Sequence, residues 1–344
     1  MSRLQQLQAR LEEPLLVSFA VNVRYLTGFD SSNAALVVEL DRVRLFSDFR
    51  YAEAGRQVEG VEFEATKRNM FADLADRLSG RLAFEADAVT YAAYETLAAG
   101  GLELVPRRGV VEELRRVKDE DELALIRRAG QITSDAFERL ARERFTGRTE
   151  RELAWRLEEL FHELGADGPA FPPTVAAGAN GATPHAHASG QEIPEGTTVV
   201  IDAACSVGGY CSDCTRTFAT GLLPSELESA YALCLEAQQA GLAAVRAGVS
   251  AREADAAARD LIEAEGLGDA FGHGLGHGLG MLVHEAPRLS QESEDVLEAG
   301  NVVTVEPGIY LPGIGGIRIE DLVVVGTDGA EVLTPFAKEL VTVE

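Results

Sequence analysis

The chain has 344 residues, a length that predicts about two domains of ordinary size, and its 46% hydrophobic content excludes extensive disorder. Its 56 Asp and Glu outnumber its 31 Lys and Arg, and the net charge of −25 excludes a general nucleic-acid binder and argues against docking on anionic membranes. No apolar run approaches the roughly 20 residues of a membrane span, and the first residues lack the hydrophobic segment of a signal peptide. Four Cys are too few for a disulfide framework, so we expect a cytoplasmic protein with reduced thiols.

The N-terminal part predicts strands alternating with helices, a pattern typical of an α/β layer. The predicted strands are 15–20, 35–39, 43–47 and 81–85, and the predicted helices are 71–79 and 90–99. No His or Cys precedes His162, so we expect recognition or assembly from this part rather than chemistry. The charged segment 110–125 predicts a solvated connecting helix. We place the boundary within it, giving domains 1–115 and 116–344.

The second part predicts long helices separated by strands that contain acidic residues. A helical pattern covers 119–144, and capping-box patterns predict three further helix starts, with Thr149, Ser225 and Ser250 as the capping residues. The predicted strands are 198–203, 211–220, 301–306 and 316–325.

Four carboxylates interrupt or end these apolar strands, namely Asp202, Asp213, Glu306 and Glu320. Burying a carboxylate without a partner is costly, and ion pairs with Arg216 and Arg318 would satisfy at most two of them. Divalent metal ions would satisfy all four, because carboxylate-rich sites suit Mn, Mg and related ions. The pattern therefore favours a metal site over a purely structural set of ion pairs.

The segment 271–281 has Gly at every second position from Gly272 to Gly280. This composition disfavours a helix. An extended chain would place the intervening side chains on one face and would let neighbouring backbone approach the other; these side chains are His273, Leu275, His277 and Leu279. A mobile glycine loop is the alternative, but two His beside four carboxylates favour metal ligation.

Several common catalytic motifs are missing. No H-E-x-x-H or G-x-S-x-G is present, and no G-x-G-x-x-G opens a helix after a strand, which excludes a zincin site, the usual serine-hydrolase elbow and a dinucleotide fingerprint. Cys211 and Cys214 have the spacing of a redox or zinc pair, but Asp213 lies between them. We interpret both as small packing thiols.

The motifs around the candidate ligands resemble those of the pita-bread dinuclear metallopeptidases, over about residues 118–344. The resemblance is carried by Asp202, Asp213 in Ser-Asp-Cys-Thr-Arg-Thr, His277 in His-Gly-Leu-Gly-His-Gly, Glu306 in Val-Glu-Pro-Gly-Ile-Tyr and Glu320 in Arg-Ile-Glu-Asp. Pro184-His185, His284-Glu285 and Arg318 are features of the Xaa-Pro branch, prolidase and aminopeptidase P. The resemblance implies a small N-terminal α/β domain of creatinase type followed by a pita-bread catalytic domain, an α/β (α+β) fold overall.

The resemblance also implies two divalent metal ions per chain. Mn is the first candidate, and Co, Zn and Fe are the alternatives. Asp202 and Asp213 would hold one ion, and Asp213, His277, Glu306 and Glu320 the other. A hydroxide held between the ions would attack the bond before proline, with Glu306 as proton shuttle. His185 and His284 would act on the substrate side, near the scissile peptide and its oxyanion.

Three residues are candidates for substrate binding. His273 would line the proline pocket, or else is an ordinary packed histidine, and Arg318 would lie behind Glu320 and orient it. Arg288 matches a position that resembles prolidase's contact with the substrate carboxylate. A surface arginine is the alternative there, and Arg44 or Arg50 of a partner subunit is another way to close the pocket.

The implied function is that of an Xaa-Pro dipeptidase (prolidase) acting on proline-containing dipeptides, with a homodimer expected. An Xaa-Pro aminopeptidase (aminopeptidase P) acting on longer peptides is the alternative. A non-catalytic peptide-binding module of the same fold ranks lower, because such a module is expected to lose ligands. A two-metal phosphoesterase is disfavoured, since the motifs offer mostly acidic residues and His rather than phosphate-binding groups.

Overall fold

The computed structural model describes all 344 residues, which form two compact units, Met1–Arg115 and Arg116–Glu344. No helix in either unit has the length and apolar character needed to cross a membrane.

The first unit is a six-stranded sheet with helices on both faces, in the strand order β4-β3-β2-β1-β5-β6. Its central strand β2 is buried at every residue, and alternate side chains enter two different hydrophobic clusters, one on each face. The elements are α1 Arg3–Gln8, β1 Leu15–Val17, α2 Ala20–Thr27, β2 Ala34–Val38, β3 Val43–Asp48, α3 Ala52–Gly55, β4 Glu62–Thr66, α4 Met70–Arg77, β5 Arg81–Glu85, α5 Tyr91–Ala99 and β6 Glu103–Arg107. The predicted α/β layer is confirmed.

The predictions missed parts of this unit for recognisable reasons. The first strand ends at Val17, because the chain enters helix α2 where the prediction extended the strand. The edge strands β4 and β6 were missed, because both are polar and mostly exposed or half-buried.

The predicted connecting helix 110–125 is wrong. The chain forms two helices there, α6 Glu112–Arg116 and α7 Glu120–Leu140, because Asp119 caps the second in a capping box with Glu122. The segment is not solvated either, since Leu114, Arg115 and Lys118 are buried.

The second unit packs helices against two separate sheets. One cluster joins α7 and α8 to the sheet β20-β12-β9-β8, and another joins α9 and α10 to the sheet β14-β13-β15-β18-β19. The helices are α8 Glu150–Glu163, α9 Ser225–Ala244 and α10 Ala251–Ala264. The strands are β7 Gly168–Pro169, β8 Thr174–Ala177, β9 Thr198–Ala203, β10 Cys205–Val207, β11 Tyr210–Cys211, β12 Cys214–Ala219, β13 Gly276–Gly278, β14 Glu285–Leu289, β15 Val302–Val305, β16 Gly308–Leu311, β17 Gly315–Arg318, β18 Asp321–Val325, β19 Ala330–Val332 and β20 Val341–Thr342.

Two of the three predicted capping boxes in this unit are confirmed. Thr149 and Ser250 each accept a hydrogen bond from the amide three residues on, and the Glu there reaches back. The third is wrong, because Ser225 is already the first helical residue and Pro224 stands at the cap without a side-chain hydrogen bond.

Two strands that the sequence predicted as continuous are interrupted. The segment 211–220 divides into β11 and β12, with Asp213 between them. The segment 316–325 divides into β17 and β18, which pair with different strands, and Glu320 lies at the break. Both interruptions place a carboxylate outside the strand ladder, where its side chain can face a cavity.

Candidate metal and active site

A cavity of about 630 Å³ in the second unit brings the predicted acidic residues together. Its lining includes all four, Asp202 from β9, Asp213 before β12, Glu306 after β15 and Glu320 between β17 and β18. Asp213 and Glu320 are buried, whereas Asp202 and Glu306 are partly exposed. Residues from the ends and interruptions of strands in both sheets thus converge on one acidic wall.

His277 lies within this acidic group. Side-chain ligand atoms of Asp213, His277 and Glu320 all lie within 4.8 Å of one another. The Nε2 atom of His277 is 3.2 Å from Glu306 Oε1 and 3.8 Å from Asp213 Oδ2. Its Nδ1 lies 3.0 Å from the Gly278 carbonyl, an acceptor that orients the ring with Nε2 toward the carboxylates.

The negative charge of this group is only partly compensated. Arg318 pairs with Asp202 at 2.7 Å, but Arg216 pairs with Asp321 rather than with any of the four carboxylates. The Oδ1 atoms of Asp202 and Asp213 are buried and accept no hydrogen bond. Oxygen and imidazole donors with unsatisfied negative charge are a set that fits divalent cations.

The pKa values reflect the same crowding of anions. Burial raises the pKa of Asp213 and Glu320 well above the ordinary range, and neighbouring carboxylates raise both further. Burial also raises the pKa of Asp202, against the opposing charge of Arg318. For Glu306 burial acts in the same direction, but the hydrogen bond and charge of His277 outweigh it and lower the pKa to about 2.

Three histidines line the cavity beside the acidic group. His185 and His284 are exposed to it, and the His284 ring lies 4.3 Å from that of His277 between centroids. His273 is half-buried, with Nδ1 2.8 Å from the Gly274 carbonyl and Nε2 3.0 Å from the Tyr310 hydroxyl. Burial lowers the pKa of His273, which favours a neutral ring. The remaining two histidines, His162 and His187, are exposed and lie outside the cavity lining.

Arg318 is buried and its donors are directed to protein atoms. It donates to Asp202, to Thr215 Oγ1, to the Tyr310 hydroxyl and to the Pro184 carbonyl. Thr215 in turn donates to Glu320 Oε2 at 2.7 Å. Arg318 therefore holds the acidic wall together, and direct substrate contact would compete with these bonds.

Arg288 differs from the other candidate arginines. It is exposed, lines the cavity, and its guanidinium makes no hydrogen bond or ion pair. In the first unit, Arg44 pairs with Glu39 and Glu64, and Arg50 pairs with Asp48. Arg288 is thus the candidate whose charge is available to a ligand.

The glycine-rich segment permits the close backbone approach that its sequence predicts. A Cβ on Gly276 would lie 2.1 Å from the Thr304 carbonyl oxygen, and one on Gly278 would lie 2.3 Å from that of Ala286. The predicted common face holds only for the two histidines, since Leu275 and Leu279 enter different hydrophobic clusters. The register shifts between His277 and Gly278, so the segment is not one regular strand.

The sequence analysis missed other residues of the cavity. Tyr310 bridges His273 and Arg318, and its only signal was its place in Val-Glu-Pro-Gly-Ile-Tyr, four residues after Glu306. Phe171 and Val283 add an apolar part to the lining. No local pattern marks them, because an apolar residue in a loop has no periodicity to read.

Comparison with known proteins matches both units. The metallopeptidase family M24 matches residues 124–327, and the creatinase/prolidase N-terminal domain matches residues 3–117. An Xaa-Pro dipeptidase of Pyrococcus furiosus is 41% identical over 67% of this chain and 66% of its own. The structure of an Xaa-Pro dipeptidase from Bacillus anthracis superposes with a TM-score of 0.94 at 37% identity, covering 99% of both chains. That of an X-Pro aminopeptidase from Thermotoga maritima gives 0.90 at 32% identity, covering 99% of this chain and all of that one.

Proposed function

The chain belongs to metallopeptidase family M24, and from this premise we propose that it is an Xaa-Pro dipeptidase, with Xaa-Pro aminopeptidase as the second candidate. The fold class expected from the sequence, a creatinase-type N-terminal domain followed by a pita-bread metallopeptidase domain, is confirmed. We take the two compact units as these domains, with the boundary between residues 115 and 116. The observation that carries the dipeptidase proposal is the unpaired guanidinium of Arg288 beside the acidic wall.

For the metal, we propose two divalent ions, with manganese as the first candidate. Asp202 and Asp213 would hold one, and Asp213, His277, Glu306 and Glu320 the other. The unsatisfied oxygens of Asp202 and Asp213 support this assignment. When bound, such ions supply Lewis-acid chemistry for hydrolysis of a peptide bond.

The chain's own residues would handle the proton and the substrate. Glu306, partly exposed to the cavity, would take a proton from the attacking water on a carboxylate oxygen and return it to the leaving nitrogen of proline. His284 and His185 are exposed and line the cavity, and as hydrogen-bond donors they would suit the scissile carbonyl. The neutral ring of His273 gives the proline side chain a flat surface against which to pack.

Arg288 would select the length of the substrate. In an Xaa-Pro dipeptide, proline is the last residue and carries the free terminal carboxylate. A guanidinium can hold that carboxylate with two parallel hydrogen bonds. A longer peptide carries a neutral amide at the same place. Because proline has no amide hydrogen to offer to a strand-like clamp, the terminal carboxylate is a charged group by which a dipeptide can be distinguished from a longer peptide.

We further propose a homodimer located in the cytoplasm. The four buried, unpaired cysteines support a reducing compartment. Sedimentation of the purified protein would test the dimer.

The decisive experiment compares the cleavage of three substrates by the wild type and by Arg288→Ala. The protein is stripped of metal, reloaded with manganese and assayed on Ala-Pro, Ala-Pro-Ala and Ala-Ala. We expect the highest kcat/KM on Ala-Pro and none on Ala-Ala. Arg288→Ala should raise KM for Ala-Pro about tenfold or more, since it removes a charged hydrogen bond, with little effect on Ala-Pro-Ala.

Arg246→Ala is the matched control, because Arg246 is exposed in the same unit and lies outside the cavity. Faster cleavage of Ala-Pro-Ala, or an equal effect of Arg288→Ala on both substrates, would favour the aminopeptidase. No cleavage of either proline peptide with any of several metals would favour a binding module.

A further inference from the structure

The glycine-rich segment needs an external support that its own sequence does not provide. Only Gly276–Gly278 is paired as a strand, while the preceding residues 271–275 lie outside the ladder. Alternating glycines bring no side chains with which to fix the backbone, and they leave it more conformational freedom than any other residue. Yet His273, which belongs to the unpaired residues 271–275, lines the cavity.

Helix α10 supplies that support through two charged residues one turn apart. Asp255 and Arg259 are buried and form a two-point ion pair, with Nε–Oδ2 at 2.7 Å and Nη2–Oδ1 at 2.9 Å. The guanidinium also donates to the carbonyl of Phe271 at 3.0 Å and to that of His273 at 2.7 Å. Asp255 Oδ1 accepts the amide hydrogen of Leu275 at 2.9 Å.

These contacts reach three alternate residues of the segment, 271, 273 and 275. The guanidinium carbon also lies 4.2 Å from the centroid of the Phe271 ring, whose edge contacts the His273 ring at 5.0 Å between centroids. Hydrogen bonds to a charged partner away from water are the strong ones. The segment is therefore held on its backbone and on the aromatic neighbour of His273.

A buried ion pair is weak support for stability alone, because desolvation offsets much of its attraction. Here the other hydrogen bonds of both side chains all go to one segment, the one that contains His273. His277, by contrast, has its own support from strand pairing and from an amide hydrogen bond to Thr304 Oγ1 at 3.0 Å. The pair is thus directed at the substrate side of the site rather than at the metal ligand.

We propose that Asp255 and Arg259 are positioning residues that clamp the backbone of residues 271–275 and so set the His273 imidazole against Tyr310 in the wall of the proline pocket. The kinetic part of this inference rests on the proposed function. The clamp itself is a property of the backbone and can be measured without a substrate.

The test uses Arg259→Gln and Asp255→Asn, with hydrogen exchange and kinetics read on the same preparations. Exchange of the Leu275 amide should accelerate at least about tenfold in both variants. Asp255→Asn removes the charge of the amide's acceptor, and Arg259→Gln removes the charged donor that holds the carbonyls of Phe271 and His273. KM for Ala-Pro should rise about tenfold while kcat changes less than threefold. Bound manganese per chain, measured by elemental analysis, should stay at the wild-type level.

The first unit offers a matched control. Asp73 and Arg77 in α4 are also an Asp–Arg pair one turn apart, with Nη2–Oδ2 at 2.6 Å, and Arg77 also donates to a backbone carbonyl, that of Ala65. Arg77→Gln should leave KM, manganese content and Leu275 exchange unchanged. Arg259→Lys, which keeps the charge, should restore part of the wild-type KM and provides the test if Arg259→Gln does not fold.

A double-mutant cycle separates positioning from general stability. If the clamp acts through His273, Arg259→Gln should raise KM little further in a His273→Ala background. Unchanged Leu275 exchange in both single variants would overturn the clamp. A KM effect that adds in full to that of His273→Ala would overturn its action through His273. If the wild type cleaves no Xaa-Pro peptide, the proposed function fails, while the exchange measurement still decides the clamp.

Discussion

At the scale of single residues, Asp213 has the most demanding environment in the cavity. Its side chain is buried and Oδ1 has no hydrogen-bond partner. Burial raises its pKa, and the charges of the other three carboxylates raise it further. A lone buried carboxylate is expensive and normally acquires a partner. The positive charges near it, Arg318 and His277, are too few for four carboxylates, and a bound cation would supply the rest.

Removing the negative charge of one of these carboxylates should therefore weaken metal binding. In Asp213→Asn and in Glu306→Gln we expect turnover to fall below detection and bound manganese to drop, because each change deletes an anionic ligand. Metal content by elemental analysis and cleavage of Ala-Pro measure the two effects. Glu294→Gln, at an exposed position, is the control. Full activity in either ligand variant would refute the assignment.

At the scale of elements, the close packing around β13 predicts that an added side chain there destabilises the protein. Gly276→Ala should destabilise the protein by about 1–3 kcal/mol, the usual range for overpacking, because the added Cβ meets the Thr304 carbonyl backbone at 2.1 Å. Manganese content should fall with it, since His277 is the next residue. Gly272→Ala lies in the same segment and meets nothing within 4 Å, so it should be tolerated. Equal stability of the two variants in urea unfolding would contradict the prediction.

The ion pair between Asp48 and Arg50 in the first unit predicts a stability that depends on pH. Asp48, at the end of β3, accepts bonds from the Arg50 side chain and from Asn33, and these lower its pKa well below the ordinary range. A carboxylate with a depressed folded pKa contributes stability that is present above its unfolded pKa of about 3.9 and is lost as pH falls through the folded pKa.

We therefore expect Asp48→Asn to lower the free energy of unfolding of the first unit at pH 7, and the difference from wild type to shrink below about pH 4. Hydrogen exchange of the β2–β3 hairpin at pH 7 and pH 3, corrected for intrinsic rates, would measure it. Asp87→Asn is the control, because Asp87 is exposed and pairs only loosely with Arg108, at 3.5 Å. A difference that stays constant with pH would show that Asp48 acts by packing alone.

The sequence predicted which carboxylates the fold brings together better than it predicted the elements that hold them. Asp202 and Glu306 stand out because a charge in or at the end of an apolar strand has few structural explanations, and the prediction did not depend on exact strand ends. Asp255 and Arg259 were not predicted, because on an exposed-looking helical pattern an Asp–Arg pair one turn apart reads as ordinary surface charge. Their role depends on which backbone lies opposite, and only the tertiary fold determines that.

The same limit explains the errors at 110–125 and 211–220. Each segment has a uniform local pattern, but the chain changes partner within it. In 110–125, Asp119 starts a new helix. In 211–220, the chain passes from the sheet that contains β11 to the sheet that contains β12. Periodicity reports the conformation of a segment and not the neighbour against which it packs.

At the scale of the whole molecule, the candidate metal ligands all lie in one of the two compact units. The acidic wall, all six histidines and all four cysteines belong to Arg116–Glu344, and the first unit contributes none of them. Any cation that binds the acidic wall binds the folded second unit, because the four carboxylates come from separate strands and converge only on folding. Ligand binding to the folded state stabilises it by mass action.

Manganese should therefore stabilise the second unit selectively. At a free concentration of 100 times its Kd, the expected gain is about 2.7 kcal/mol. Hydrogen exchange of the paired strands β9 and β12 reports unfolding of this unit. Hydrogen exchange of the β2–β3 hairpin reports the first unit, whose stability should not change. Asp213→Asn should abolish the shift, since it removes a ligand without touching the packing of α8. An equal gain in both units would mean that they unfold as one body, and no gain in wild type would mean that the acidic wall does not bind the metal.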